Sequence, residues 1–163
     1  MNTPISAAPA VDVELNFQSA DEYCDFVEQF IAGTLPKPRW THRAHLVTGL
    51  WHLLQYSPEE SLQLLRERIR AYNVAVGGEN TDTAGYHETL TRFYVTVISQ
   101  WLANQDGLRT NWPALGRRLL ESRLADKNLP LAYFSKDLLF SPAARRAWII
   151  PDLMPLNGEN LFR

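Results

Sequence analysis

Four side chains on two short segments have the types and spacing to do chemistry. The first segment is Trp40-Thr41-His42-Arg43-Ala44-His45. On a helix, His42 and His45 stand three apart and share one face, a usable spacing for two ligands of one metal ion. With Thr41 as the cap, both fall in the first turn, where partial positive charge disfavours imidazolium. Neutral imidazole is the form that binds metals and acts as a base. The second segment is Gly85-Tyr86-His87-Glu88-Thr89, expected in the first turn of another helix. His87 is again favoured neutral there. Glu88 can be a ligand, an orienter of an imidazole or a general base. Three histidines and a carboxylate suffice for zinc, iron or manganese with one position open, a centre that can activate water or hold dioxygen.

The resulting expectation is a small enzyme, an oxidoreductase or a hydrolase, with a pocket at one end of a helical bundle. His42, His45 and His87 would hold one divalent metal ion. His87 and Glu88 would be catalytic, with Glu88 as fourth ligand or general base. Trp40, Tyr86, His52, Tyr72 and Asn73 would shape the pocket for a small organic substrate.

A plainer reading stands beside this one. His42 can simply decorate a helix start, and His45 can be a core histidine bonded to a backbone carbonyl. His52 can pack beneath Trp51 or face solvent. Glu88 can pair with Arg92 four residues on, an ordinary helix ion pair, and Tyr86 and His87 can extend a core stripe. The protein is then a non-catalytic small-molecule-binding or regulatory module with structural histidines. A third reading keeps catalysis without a metal, through a His–Glu pair. Cys24, without a basic neighbour, reads as a small buried hydrophobe. The chain has no G-x-S-x-G elbow, P-loop, G-x-G-x-x-G or C-x-x-C, which removes the chemistries tied to those motifs.

Helices must position these residues. Ser19 opens the first, with Glu22 three residues on as a capping box, and Gly33 with Pro36 and Pro38 stops it. Thr41 opens the second, which runs to about Gln55. Its stretch from Ala44 to Ser57 has no Asp, Glu, Lys or Arg, so it is expected to be central and buried on several sides. Ser57, Pro58 and Glu60 open the third, and Gly77 and Gly78 end it. Asp82 or Thr83 is expected to cap the fourth, whose stripe of Leu90, Phe93, Tyr94, Val97, Ile98, Trp101 and Leu102 projects back to His87. Asn111 and Ser141 open two more, and Arg145 with Asp152 is a candidate pair for locking the C-terminal tail. The class is all-α: a single-domain bundle of about six helices over 17–163, a disordered N-terminal tail over 1–16 and an extended C-terminal tail.

Composition narrows the function. At 163 residues the chain is long enough to bury a core without disulfide or metal. A net charge of −2 lacks the basic excess of nucleic-acid binders. One cysteine precludes an internal disulfide and suits a reducing cytoplasm. No apolar run approaches the ~18 residues of a membrane span, and the N-terminus lacks the basic and apolar regions of a signal peptide. The expected partner is a small-molecule ligand, not nucleic acid or membrane, and an apolar helix face is available for a homodimer.

The pieces Trp40-Thr41-His42-Arg43-Ala44-His45-Leu46, Tyr86-His87-Glu88-Thr89 and Pro151-Asp152-Leu153 resemble those of a group of small bacterial all-helical proteins of unassigned function. That likeness, running from the first helix to the end, implies a bacterial helical protein and supplies no mechanism. The arrangement is also similar to DinB-type bundles, whose histidines form a metal site on facing helices, which implies fold-level likeness only.

Overall fold

The structure, a computed structural model, describes residues 15–157. Among them are seven α-helices, three short 3-10 turns and no strand. The helices are α1 (Ala20–Ile31), α2 (His42–Gln55), α3 (Pro58–Ala75), α4 (Glu88–Ala103), α5 (Trp112–Glu121), α6 (Lys136–Leu139) and α7 (Pro142–Arg146). The all-α class is as expected. The count exceeds six because the apolar stretch from Leu129 to Phe140 folds as a 3-10 turn and the four-residue α6. No helix among the described residues is long and apolar enough to cross a membrane.

Helix α2 is the hub, touching α1, α3, α4 and α5. Its residues Ala44, Leu46, Val47, Thr48, Gly49 and Leu50 are all buried. Without an ionised side chain in that stretch, burial on several sides costs no charge desolvation. Tyr23 of α1 donates its hydroxyl to the Val47 carbonyl at 2.5 Å, and Phe17 stacks on the Tyr23 ring with centroids 4.5 Å apart. Leu15 is buried with them. The tail expected over 1–16 therefore gives way to core packing by Leu15, because an apolar side chain there finds the α1 aromatics. The rest of that tail lies outside the described residues, Asn16 apart.

The local helix signals operate largely as the sequence implies. Thr41 Oγ1 accepts from the Ala44 N–H, Asn111 Oδ1 from Ala114 and Ser141 Oγ from Ala144. Ser57 and Glu60 close a full capping box. At α1, Ser19 caps Glu22, but the Glu22 carboxylate reaches back to the Gln18 N–H, not to that of Ser19.

The start of α4 differs from expectation. Neither Asp82 nor Thr83 caps it; His87 does, its ring accepting from the Leu90 N–H at 3.2 Å. The chain from Gly77 to Tyr86 is a loop, because its polar groups bond elsewhere. Asn80 accepts from the Tyr86 N–H and from the Asn73 amide, and donates to the Arg70 carbonyl. Gly85 turns the loop with φ +79, and a Cβ there would run into the Glu79 carbonyl oxygen. Asp82 pairs with Arg146 of α7. Arg145 donates to the carbonyls of Gly85 and Tyr86 at 2.9 and 3.2 Å, so it clamps this loop. Asp152 accepts from the Ser135 N–H. The expected Arg145–Asp152 pair is not formed, because each group is satisfied by backbone. The tail is held by Thr89, whose hydroxyl donates to the Ala147 carbonyl and accepts from the Ile149 N–H.

Two glycines with the same backbone sign separate conformational strain from steric exclusion. At Gly77 (φ +83) a Cβ would meet nothing within 4 Å, whereas at Gly85 it would meet backbone. In urea unfolding, Gly77→Ala is expected to cost about 1 kcal/mol. Gly85→Ala is expected to cost more than about 2 kcal/mol. Equal costs would mean that the loop yields freely.

Candidate functional site

A largely apolar cavity lies between α2, α3 and α4, with a volume near 450 Å³. Its wall includes His42, His45 and Gly49 from α2, Leu65, Ile69 and Asn73 from α3, and Leu90, Thr91, Tyr94, Val95 and Ile98 from α4. Trp40 and the Gly85-Tyr86-His87 segment complete it. The two histidine segments singled out in the sequence thus border one space. No Asp, Glu, Lys or Arg is among the described residues of this wall.

His45 is fixed by Thr41. The Thr41 carbonyl accepts the His45 backbone N–H at 3.1 Å and meets ring Nδ1 at 2.7 Å. A carbonyl only accepts, so this contact assigns the proton to Nδ1 and leaves the Nε2 lone pair free. The ring packs on Trp40 at a centroid distance of 4.0 Å, and Trp40 in turn stacks on Phe30 at 4.3 Å. His45 is exposed, yet protein atoms surround it, so its accessible surface is cavity wall. Desolvation pushes its pKa down to about 4, with the Thr41 hydrogen bond opposing and His42 adding to the fall.

His42 is half-buried, and its Nε2 is buried without a partner. Burial lowers its pKa; a hydrogen bond to the Ala125 backbone and the charge of Asp126 act the other way. Its ring meets Tyr94 edge-on at 5.4 Å. The Tyr94 hydroxyl is also buried without a partner, and burial raises its pKa first, with Asp126 adding to the effect.

His87 borders the cavity, but its nitrogens are spent. Nδ1 accepts from the Leu90 N–H, and Nε2 lies 2.8 Å from the Leu139 carbonyl. The first contact needs a lone pair and the second a proton, so the network assigns the neutral Nε2–H tautomer. Burial lowers its pKa, with Leu139 opposing and Arg145 contributing to the fall. No lone pair remains for a metal ion or a substrate proton.

Glu88 is buried outside the cavity wall. Arg66 holds both carboxylate oxygens, at 2.9 and 2.7 Å, and the Tyr86 hydroxyl donates to Oε2 at 2.7 Å. Arg66 keeps its pKa below the usual carboxylate range against desolvation, with Tyr86 helping. The expected Glu88–Arg92 pair is replaced by this one, and Arg92 lies over the Trp148 ring instead. Arg70 covers the Tyr86 ring at 4.7 Å, so the Tyr86 wall is held by two cations and a carboxylate.

The remaining candidates divide. Trp40, Tyr86 and Asn73 border the cavity, as expected from the sequence; His52 and Tyr72 do not. His52 points to α3, where Arg68 lies 2.8 Å from Nε2, and Nδ1 meets the Thr48 carbonyl at 2.7 Å. Tyr72 donates to the Leu35 carbonyl at 2.9 Å and supports Trp40 from behind. Tyr94 and Thr91 border the cavity without having been singled out; the helical stripe of α4 marks Tyr94 as inward, but only the packing of α2 against α4 shows what it faces. Among the described residues, no group of three or more His, Cys, Asp or Glu side chains is placed to hold a metal ion. The metal set His42, His45, His87 and Glu88 is not assembled, because His87 is a helix cap and Glu88 belongs to Arg66.

Comparison with protein-family models, with curated proteins and with solved structures finds no match to this chain.

A cap and a tie should be separable at His87. His87→Ala is expected to destabilise by about 2–3 kcal/mol, the sum of a lost cap and an abandoned Leu139 carbonyl. His87→Asn is expected to recover about 1 kcal/mol, because it caps but cannot reach Leu139. Equal loss in both variants would contradict the capping role.

The histidines also set a pH dependence. All four have pKa values lowered from the ordinary value, His45 and His52 to about 4. Between about pH 6.5 and pH 4 the unfolded chain therefore binds protons that the folded chain refuses, so stability falls as pH falls. For fully buried His52 the slope is at most ~1.4 kcal/mol per pH unit. His52→Gln should be less stable at pH 7 but lose less stability by pH 5. Urea midpoints with the same pH slope as wild type would refute this assignment.

Proposed function

We propose that this protein is a small-molecule-binding helical module whose α2–α3–α4 cavity takes one organic ligand. A single observation carries the reading: a cavity of about 450 Å³, apolar in its walls, into which a few convergent polar atoms project. Ligand pockets commonly measure ~300–1,000 Å³ and have this make-up. The orphaned Nε2 of His42 and hydroxyl of Tyr94 strengthen it. Buried polar atoms without partners cost about 1–3 kcal/mol each, and a ligand or ordered water that satisfied them would recover that cost.

Binding is favoured over catalysis by the chemistry of the same groups. Proton transfer at neutral pH is most efficient with a group whose pKa lies near 7. His45, at about 4, is a good hydrogen-bond acceptor and a poor base. Glu88 is ionised but occupied by Arg66 and Tyr86. Catalysis through a His87–Glu88 pair would require both to leave their partners. The metal-dependent reading faces the same obstacle, since two imidazoles on α2 would need a third donor.

The test is ligand-observed NMR with a library of neutral fragments, in buffer with and without EDTA. Hits are expected that leave when Val95, a buried wall residue, is enlarged by Val95→Phe. Chelator should not change them. Fragment binding that survives Val95→Phe, or that needs a divalent metal, would overturn the proposal.

A further inference from the structure

We infer that the ligand of this cavity is an uncharged molecule with an apolar body and an O–H or N–H group that donates to the His45 imidazole. This inference rests on the cavity being a ligand site and specifies what that site selects. Three observations carry it, and each concerns a different property of the ligand.

The first is charge. The wall contains no Asp, Glu, Lys or Arg among its described residues, so an ionic ligand would be desolvated without a counter-ion, which is costly. Asp126, whose charge reaches His42 and Tyr94, stands outside the wall and accepts from the Asn128 N–H. Arg66 is committed to Glu88, Arg70 lies over the Tyr86 ring, and Arg145 is held by two carbonyls. The histidines cannot supply the missing charge cheaply, since protonating His45 would place imidazolium in a desolvated site beside His42.

The second is hydrogen-bond polarity. Thr41 takes the His45 Nδ1 proton, so Nε2 offers a lone pair and nothing else. On the same helix face, His42 Nε2 is buried and has no partner. The fixed acceptor at His45 selects a donor. A ligand with only acceptors, such as an ether, would leave the His45 lone pair unmet. Tyr94, whose hydroxyl is unpartnered, can then give its proton to the oxygen or nitrogen of the ligand's polar group.

The third is the position of the apolar body. Leu65, Ile69, Leu90, Val95 and Ile98 form much of the remaining wall. They contribute burial area without polar direction, so the body's shape is loosely specified while its polar end is not.

Four probes of similar size isolate these properties: para-propylphenol, its methyl ether, para-propylbenzoate and para-propylbenzylamine, titrated against the full chain by calorimetry at pH 7.5. The phenol is expected to bind at least about tenfold more tightly than the ether, the usual effect of an unmet buried acceptor. The two ions are expected to bind more weakly than either. His45→Phe keeps a ring on Trp40 but removes the acceptor, and it should shrink the phenol-over-ether ratio while the ether still binds. An ether that binds as tightly as the phenol, or an ion that binds tightest, overturns the inference and leaves the cavity as a ligand site. Failure of all four to bind would sink both readings. The probe series in wild-type protein decides the matter even if His45→Phe does not fold.

Discussion

Helix α2 can occupy the centre of this bundle only while its three imidazoles stay uncharged. From Ala44 to Ser57 the chain has no Asp, Glu, Lys or Arg, and neighbours surround the helix on several sides. His42, His45 and His52 are the groups that could break this neutrality. Burial holds each ring neutral against the opposing pull of a backbone hydrogen bond, from Ala125 at His42, Thr41 at His45 and Thr48 at His52, and the charge of Arg68 adds to burial at His52. Arg68 is decisive at His52, since a guanidinium cannot accept, so Nε2 must. The same demand that keeps the hub apolar leaves a neutral imidazole at His45, whose lone pair borders the cavity.

The histidines divide by their partners. His52 and His87 have both nitrogens occupied and hold elements together. His42 and His45 each keep one nitrogen unoccupied by protein, and both border the cavity. Four residues of one type thus fall into two groups, and the number of protein partners on each ring tells them apart.

Local chemistry is legible in the sequence; long-range pairing is not. Thr41, Ser57, Asn111 and Ser141 act as caps within three residues of themselves, so spacing reveals their roles. The uncharged run of α2 likewise announces a buried hub. The cap of α4 falls at His87, four or five positions after the expected Thr83 or Asp82, with large consequences: a first-turn histidine would keep a free nitrogen, and the cap keeps none. Histidine is an uncommon cap, and the bonds of Asn80 and the turn at Gly85 that delay the helix lie in the loop before it. Arg66 claims Glu88 from another helix, 22 residues away, and no periodicity marks such a pair. The convergence of His42, His45 and Tyr86 on one cavity follows from two helix starts facing each other. The contributions of Tyr94 and Thr91 depend on the packing of α2 on α4.

Thr41 shows how little chain is needed to aim a side chain. Its hydroxyl caps α2 through Ala44, while its carbonyl serves His45 twice, once at the backbone amide and once at the ring. Both lone pairs of that oxygen are spent on one residue. The imidazole is therefore tied into the helical ladder itself, and its orientation is inherited from main-chain geometry. Its acceptor is in place before any guest arrives, so association need not immobilise a swinging side chain.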